Sequence, residues 1–255
     1  ADELRDFGFS LHQLPSHELG GALLPFVPAF NVCNVICLSS QIRPYRAYNR
    51  PPGPTLRRGT SQRAGSDAGA RARLTEALAE LGGSEGARWS DPAELIDGAD
   101  QRARLAVQHI PPGSSVMDLG AGARRLMTAL PPGGKYVPVD LVRFAAAGEI
   151  LDLNKGQFPT HAVDVVAALE LLQYIHDIPA LLRRCAAAAP NLIVSYPLAA
   201  AGDDIAARRA QGWFNDFDED AMINMLDAAG WKFATRQPAA QSEMFVCHRK
   251  NWKPA

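Results

Sequence analysis

From residue 115 onward, short apolar runs alternate with longer stretches whose apolar positions recur every three or four residues. The runs at 115–119, 136–139, 148–151, 163–167 and 191–195 have the length of strands. Helical spacing marks 124–130, 178–189 and 218–229. Pro131-Pro132-Gly133-Gly134 stops the first of these helices, and Gly230 stands just past the end of the last. Strands alternating with helices predict a mostly parallel sheet covered on both faces. Two final runs, 231–236 and 243–248, have no helix between them and predict an antiparallel hairpin at or near one edge. Pro138 removes a ladder donor inside the second strand, which predicts a bulge or a displaced ladder there.

Upstream, 73–81 reads as a helix with Leu74, Leu78 and Leu81 on one face. Asp91-Pro92 opens another helix with Pro at its first position, running through Ala106 towards Ile110 until Pro111-Pro112-Gly113 stops it. The longest uncharged stretch, 19–42, is broken by Gly20, Gly21, Pro25, Pro28, Asn31 and Asn34. A spanning helix needs about 20 predominantly apolar residues, so no membrane segment is expected. The flank of this stretch carries Asp2, Glu3, Asp6 and Glu18, the opposite of a positively charged leader. A buried arm or a partner-facing surface is the expected role.

With 255 residues, 47% of them hydrophobic and 21% charged, the chain is long enough for one domain with an extension. The expected division is an extension or cap over 1–90 and a ligand-binding domain over 91–255. Charge is balanced overall, with 26 Lys+Arg against 27 Asp+Glu, but it is unevenly placed. Residues 42–73 hold eight Arg against the single acid Asp67, a net of +7, which leaves −8 for the rest. Four Pro and four Gly in the same stretch argue against a regular element. It reads as an extended loop, either a solvated linker or a flap that meets an anion. Cys33, Cys37, Cys185 and Cys247 are too scattered for a disulfide framework, so a reducing cytoplasm is expected. The Cys33–Cys37 pair with His12 and His17 fits no common zinc spacing, and no metal is expected.

The candidate chemistry begins where the first strand runs straight into a helix, through Val116-Met117-Asp118-Leu119-Gly120-Ala121-Gly122-Ala123. Small residues belong where backbone must approach a ligand closely, because a Cβ would block it. Asp140 ends the second strand, 22 residues after Asp118, where a carboxylate can accept two bonds from ribose hydroxyls. Asp152-Leu153 follows the third strand, where a carboxylate and an amide can read an adenine edge. Asp164 opens the fourth strand and Glu170 closes it. All but Asp164 stand at carboxyl ends of parallel strands, where an open α/β sheet builds its ligand crevice.

Asp118-Leu119-Gly120-Ala121-Gly122, Val139-Asp140, Asp152-Leu153 and the Asp164–Glu170 run followed by Tyr174-Ile175-His176-Asp177 resemble the class I S-adenosylmethionine-dependent methyltransferases, over about residues 95–250. The resemblance implies a Rossmann-like seven-stranded sheet, mostly parallel, with an antiparallel C-terminal hairpin. It also implies S-adenosyl-L-methionine as cofactor, held by Asp118, Gly120, Ala121, Gly122, Asp140, Leu141, Asp152, Leu153 and Glu170. Arg124 stands where the family's loop usually has a third Gly, altering how the methionine carboxylate is held or pairing with it. A dinucleotide oxidoreductase is the competing reading, but its fingerprint wants Gly where Arg125 stands.

For the acceptor side, His176 is the candidate base, because its ordinary pKa lies near neutrality. Tyr174 and Tyr196, near the ends of the fourth and fifth strands, and Trp213 and Asn215, ahead of the last helix, are candidate pocket walls. The plainer role of Trp213 and Phe217 is to staple that helix to the sheet. The expected reaction is methylation of O or N on a small molecule or glycan precursor, an anionic one being what the Arg-rich stretch would suit. The alternatives are an RNA or protein methyltransferase and a non-catalytic binding protein that keeps the fold. Nucleic acid is disfavoured, since aromatic residues in the basic stretch are limited to Tyr45 and Tyr48. Retention of all three strand-end acids disfavours the non-catalytic reading, and nothing in the sequence fixes an oligomeric state.

Overall fold

A computed structural model describes residues 61–91, 94, 98–143 and 148–251. The apolar run 19–42, the Cys33–Cys37 pair and the Arg-rich stretch up to residue 60 lie outside the described residues. Seven strands form one sheet: β1 (Val116–Leu119), β2 (Tyr136–Asp140), β3 (Glu149–Ile150), β4 (Val165–Leu169), β5 (Asn191–Tyr196), β6 (Trp231–Ala239) and β7 (Ser242–Arg249). Their order is β3-β2-β1-β4-β5-β7-β6. The first five strands pair in parallel, and β7 runs antiparallel between β5 and β6. The expected Rossmann-like sheet with its closing hairpin is present.

Strands β1, β4 and β5 are apolar on both faces because both faces are covered. One side packs Met117, Leu119, Val166, Leu192 and Phe245 against α5 (Ile178–Ala188) and α7 (Glu219–Ala228). Across it, the buried Trp231 indole donates to the Leu182 carbonyl at 3.0 Å. On the other side Val116, Val165, Ile193 and Met244 meet Ala103 and Ala106 of α3 (Ala99–Ala106) and Leu126 of α4 (Arg125–Ala129). Small residues on α3 let that helix lie close to the strands. Three Asp side chains cap helices: Asp177 accepts from the Ala180 N–H, Asp218 from Ala221, and Asp204 from Ala207 at the start of α6 (Ile205–Ala210).

Three sequence expectations need correction. Pro138 causes no bulge in the β1–β2 ladder and sits in register opposite Asp118. The Val139 carbonyl accepts the Gly120 N–H, so Val139 faces β1 and its neighbour Pro138 faces β3. Pairing with β3 starts only at Val139, so the missing donor takes no bond from the ladder. The irregularity in the sheet falls instead in β6, between Phe233 and Thr235. Second, α1 spans Ser61–Leu81, so the helix covers 61–73, which the Pro/Gly count had suggested was irregular. The Pro residues all precede it, and Gly65 and Gly69 each cost only about 1 kcal/mol in a run otherwise rich in Ala and Arg. Its packed position is Thr75, 1% exposed, while Leu74 and Leu81 remain 45% and 82% exposed. Third, the helix expected to run unbroken to Ala106 is interrupted: α3 starts at Ala99, because Gly98 takes a left-handed conformation (φ 78°) that a continuous helix excludes, while the expected start at Pro92 lies outside the described residues. Two short helices have no counterpart among the expected elements: α2 (Gly86–Trp89) and α6.

Candidate functional site

The turn from β1 to α4 is built on left-handed backbone at Gly120 (φ 72°), Gly122 (φ 45°) and Arg124 (φ 57°). Gly120 is required twice over, since a Cβ there would also stand 3.1 Å from Leu171 Cδ1. The turn is tied to β2: the N–H groups of Gly120 and Ala121 both donate to the Val139 carbonyl, at 2.9 and 3.1 Å. Asp140 completes the tie. Its Oδ2 accepts the Gly122 N–H at 2.7 Å, and its Oδ1 accepts the Val142 N–H at 3.3 Å. Burial raises this carboxyl, and the amides of Gly122, Val142 and Leu141 partly oppose that rise.

Asp118 is 4% exposed and accepts the Tyr136 phenol at 2.5 Å. Burial pushes it up to about 7, against the Tyr136 bond and assisted by the charge of Asp140. The Tyr136 phenol is raised in turn by burial and by Asp118. Arg124 keeps the backbone shape that a third Gly would have given, and its guanidinium lies beside Gly148. It lines an open crevice with Ala121, Gly122, Asp140, Arg143 and Glu149.

At the end of β3, Asp152 enters a turn at Leu153–Lys155. Its Oδ1 accepts the Ser84 hydroxyl at 2.8 Å and the Asn154 N–H at 3.1 Å, while Oδ2 stands 3.6 Å from Lys155 Nζ. At the end of β4, Glu170 has a left-handed backbone (φ 58°) and is 7% exposed. One carboxylate oxygen accepts the Ser195 hydroxyl and the other the Gln173 amide, both at 3.0 Å. Strained backbone of this kind costs about 1–3 kcal/mol and gathers at functional sites.

The acceptor-side candidates divide into two groups. His176 stacks on Phe214, with ring centroids 4.1 Å apart, and its Nε2 lies 2.8 Å from the Gly83 carbonyl. A carbonyl only accepts, so Nε2 carries the proton and the neutral ring has its lone pair on Nδ1. Tyr174 meets the edge of Trp89 at 4.8 Å and accepts the Trp213 indole N–H at 3.2 Å; burial pushes its phenol up to about 12. Tyr174 and Trp213 thus come together, while His176 packs on Phe214, the residue after Trp213. Tyr196 and Asn215 form the second group: Tyr196 is fully buried and donates to Asn215 Oδ1 at 2.6 Å. Asn215 spends its amide on the Leu172 and Ile175 carbonyls, fixing the turn after β4.

Residues 83–89, read from sequence as part of the extension, bridge these pieces. Besides the Gly83 and Ser84 bonds, Arg88 donates to the Gln211 carbonyl at 2.6 Å and lies 4.8 Å over the Trp89 ring. Ser84, Trp89 and Asn154 are site residues that sequence reasoning missed. Of these only Trp89 carried a signal, an aromatic residue close to Gly82-Gly83 and Gly86.

Residues 91–235 match the protein family described as a methyltransferase domain. The chain therefore belongs to the class I S-adenosylmethionine-dependent methyltransferases, whose methyl donor and cofactor is S-adenosylmethionine. The residues present suit that donor: bare backbone at Gly120 and Gly122, a carboxylate at the end of β2, and a carboxylate followed by an amide at the end of β3. Among solved structures, the chain is similar to CalO1, a methyltransferase in calicheamicin biosynthesis in its SAH-bound form, at 16% identity and a TM-score of 0.48, over 59% of this chain and 54% of that one. It is also similar to the 1,6-didemethyltoxoflavin-N1-methyltransferase of Burkholderia thailandensis, at 18% and 0.48, over 81% and 98%. A third is the magnesium protoporphyrin IX methyltransferase of Synechocystis PCC 6803, at 18% and 0.46, over 60% and 80%. The matched part of this chain spans only about half the length of CalO1, and no curated protein matches the chain. Among the described residues no helix is long and apolar enough to cross a membrane.

Proposed function

We propose that the protein transfers the methyl group of S-adenosylmethionine to an oxygen or nitrogen of a small-molecule acceptor. The observation that carries this reading is the tie between Gly122 and Asp140 at 2.7 Å, which braces the bare turn against the acid that would hold the ribose. When bound, the donor supplies an electrophilic methyl on a sulfonium, and transfer is a direct displacement. The chain's own residues bind, orient and exclude water. Asp140 and the Leu141 amide hold the ribose; Asp152 and Leu153 hold the adenine; Asp118, Gly120, Ala121, Gly122 and Glu170 surround the rest of the donor. His176 takes the acceptor proton on Nδ1, between walls supplied by Tyr174 and Trp213, with Tyr196 and Asn215 supporting the turn that carries them. Residues 83–89 brace the two ends of the site, Ser84 bonding Asp152 and the Gly83 carbonyl bonding His176.

The basic stretch 42–73 suits an anionic acceptor. A cytoplasmic, reducing setting agrees with Cys185 and Cys247, both free thiols, buried and pushed up to about 12 by that burial. The glycine-like backbone kept at Arg124 favours catalysis over a binding-only role, because the turn retains the shape a donor needs.

The test is calorimetric titration with S-adenosylmethionine and its demethylated product, beside Asp140→Ala. Micromolar binding that the substitution abolishes is the expected result. A folded protein that binds neither compound would sink the proposal.

A further inference from the structure

We infer that Asn154 is a positioning residue that couples the adenine end of the donor site to the acceptor-side turn; this rests on the methyltransferase reading above. Asn154 lies in the turn after β3, and three separate stretches of chain meet on its amide. Its Nδ2 donates to Ser84 Oγ and to the Tyr174 carbonyl, each at 2.9 Å, and its Oδ1 accepts the His176 N–H at 3.0 Å. Its own N–H donates to Asp152 Oδ1, the same oxygen that accepts the Ser84 hydroxyl.

The chemistry of this junction calls for an amide. The Tyr174 carbonyl only accepts and the His176 N–H only donates, so the group between them must offer a donor on one side and an acceptor on the other. An amide does this in a single orientation. A carboxylate of the same shape would set an oxygen against the Tyr174 carbonyl, and a smaller residue would leave carbonyl and N–H unpaired. The two residues on either side of Ile175 that Asn154 holds, Tyr174 and His176, are the proposed acceptor wall and base. The residue it shares with Ser84 is the proposed adenine acid. A ligand amine taken up by Asp152 therefore acts on a carboxylate already bonded to Asn154 and Ser84, and any change reaches 174–176 through one side chain. Segment 83–89 is the second arm of the same junction: His176 Nε2 bonds the Gly83 carbonyl, so the cap and the turn are also joined directly.

The experiment is hydrogen exchange on the full chain with and without S-adenosylhomocysteine, for the wild type and Asn154→Asp. In the wild type the ligand is expected to raise protection at 118–122, at 83–89 and at 172–176. In Asn154→Asp the ligand still binds, roughly three- to tenfold more weakly, and protects 118–122, but the gain at 172–176 is lost. A merely structural role predicts the opposite pattern: lower protection throughout without ligand, and the same ligand-induced gain at 172–176. That pattern, or a wild type that binds the ligand with no gain at 172–176, overturns the inference. A wild type that does not bind the ligand at all overturns the methyltransferase reading instead. If Asn154→Asp does not fold, Ser84→Ala gives the answer: loss of the gain at 83–89 with that at 172–176 kept supports the coupling, and an unchanged gain at 83–89 refutes it.

Discussion

The Asp140 carboxylate accepts the Gly122 N–H at 2.7 Å, so the acid ending β2 and the second glycine of the β1–α4 turn behave as one unit. Removing the carboxylate should release the turn as well as the ribose. In Asp140→Ala the Gly122 amide is expected to exchange with solvent at least about tenfold faster without ligand, and donor affinity to fall about a hundredfold or more, as for two lost bonds to a charged group. Exchange rates resolved at 120–123 check this, and an unchanged Gly122 amide would separate the acid from the turn.

Asp118 carries a pH dependence of definite sign. Burial raises it from an ordinary 3.8 to about 7, so between those values the folded chain holds a proton that the unfolded chain has lost. The stability it contributes is complete below about pH 4 and is lost as pH rises to about 7, on the order of 4 kcal/mol at most. In Asp118→Asn this component is absent. Thermal midpoints across pH 4 to 8 should fall more steeply in the wild type than in the variant, and parallel curves would count against a buried, proton-holding Asp118.

Gly120→Ala places a side chain on left-handed backbone 3.1 Å from Leu171 Cδ1. The conformational cost alone is about 1–2 kcal/mol, and the Leu171 contact adds to it. Urea midpoints should show that loss, together with weaker binding of S-adenosylhomocysteine. Equal stability in the two proteins would mean that the turn relaxes away from this conformation.

Asp216 joins two arginines beside α6. Its Oδ1 accepts from Arg208 Nε at 2.6 Å and its Oδ2 from Arg209 Nη2 at 2.5 Å, with the Arg208 side chain only 8% exposed. Burial raises this carboxyl, but the bonds to Arg209 and Arg208 outweigh it and hold it below its ordinary value. Its contribution to stability is thus present above about pH 4 and lost as pH falls through that lower value. Asp216→Ala leaves Arg208 short of a partner and should cost about 3 kcal/mol near neutrality. Denaturant titration at pH 7 checks it, and a loss below about 1 kcal/mol would mean that Asp203 and the Pro197 carbonyl suffice for Arg208.

Apolar runs, helix stops and strand-end acids were enough to read the sheet and its closing hairpin. These features are legible because each depends on local spacing. The start of α1 was missed because Gly content was weighed as a breaker, when the Ala and Arg around Gly65 and Gly69 offset it. Pro138 was misjudged because one missing N–H matters only if a partner faces it, and β3 begins one residue too late for that. The junction at Asn154 left no trace in the sequence: Ser84, Asn154 and Tyr174 sit in three loops, and bonds between loops have no period. Tyr196 and Asn215 were correctly placed near strand and helix ends, yet proximity along the chain did not tell that they bond each other.

The position of β7 between β5 and β6 also sets an order of events during synthesis. When β5 leaves the ribosome, the strand that must lie beside it is still unmade, and β6, which emerges first, has no partner in the sheet other than β7. Until residues 242–249 arrive, the nascent chain presents the open edge of β5, with Leu192, Ile193 and Val194, as a template for any strand nearby. The sheet closes in a single late insertion, so the edge of β5 stays open for as long as residues 242–249 are unmade.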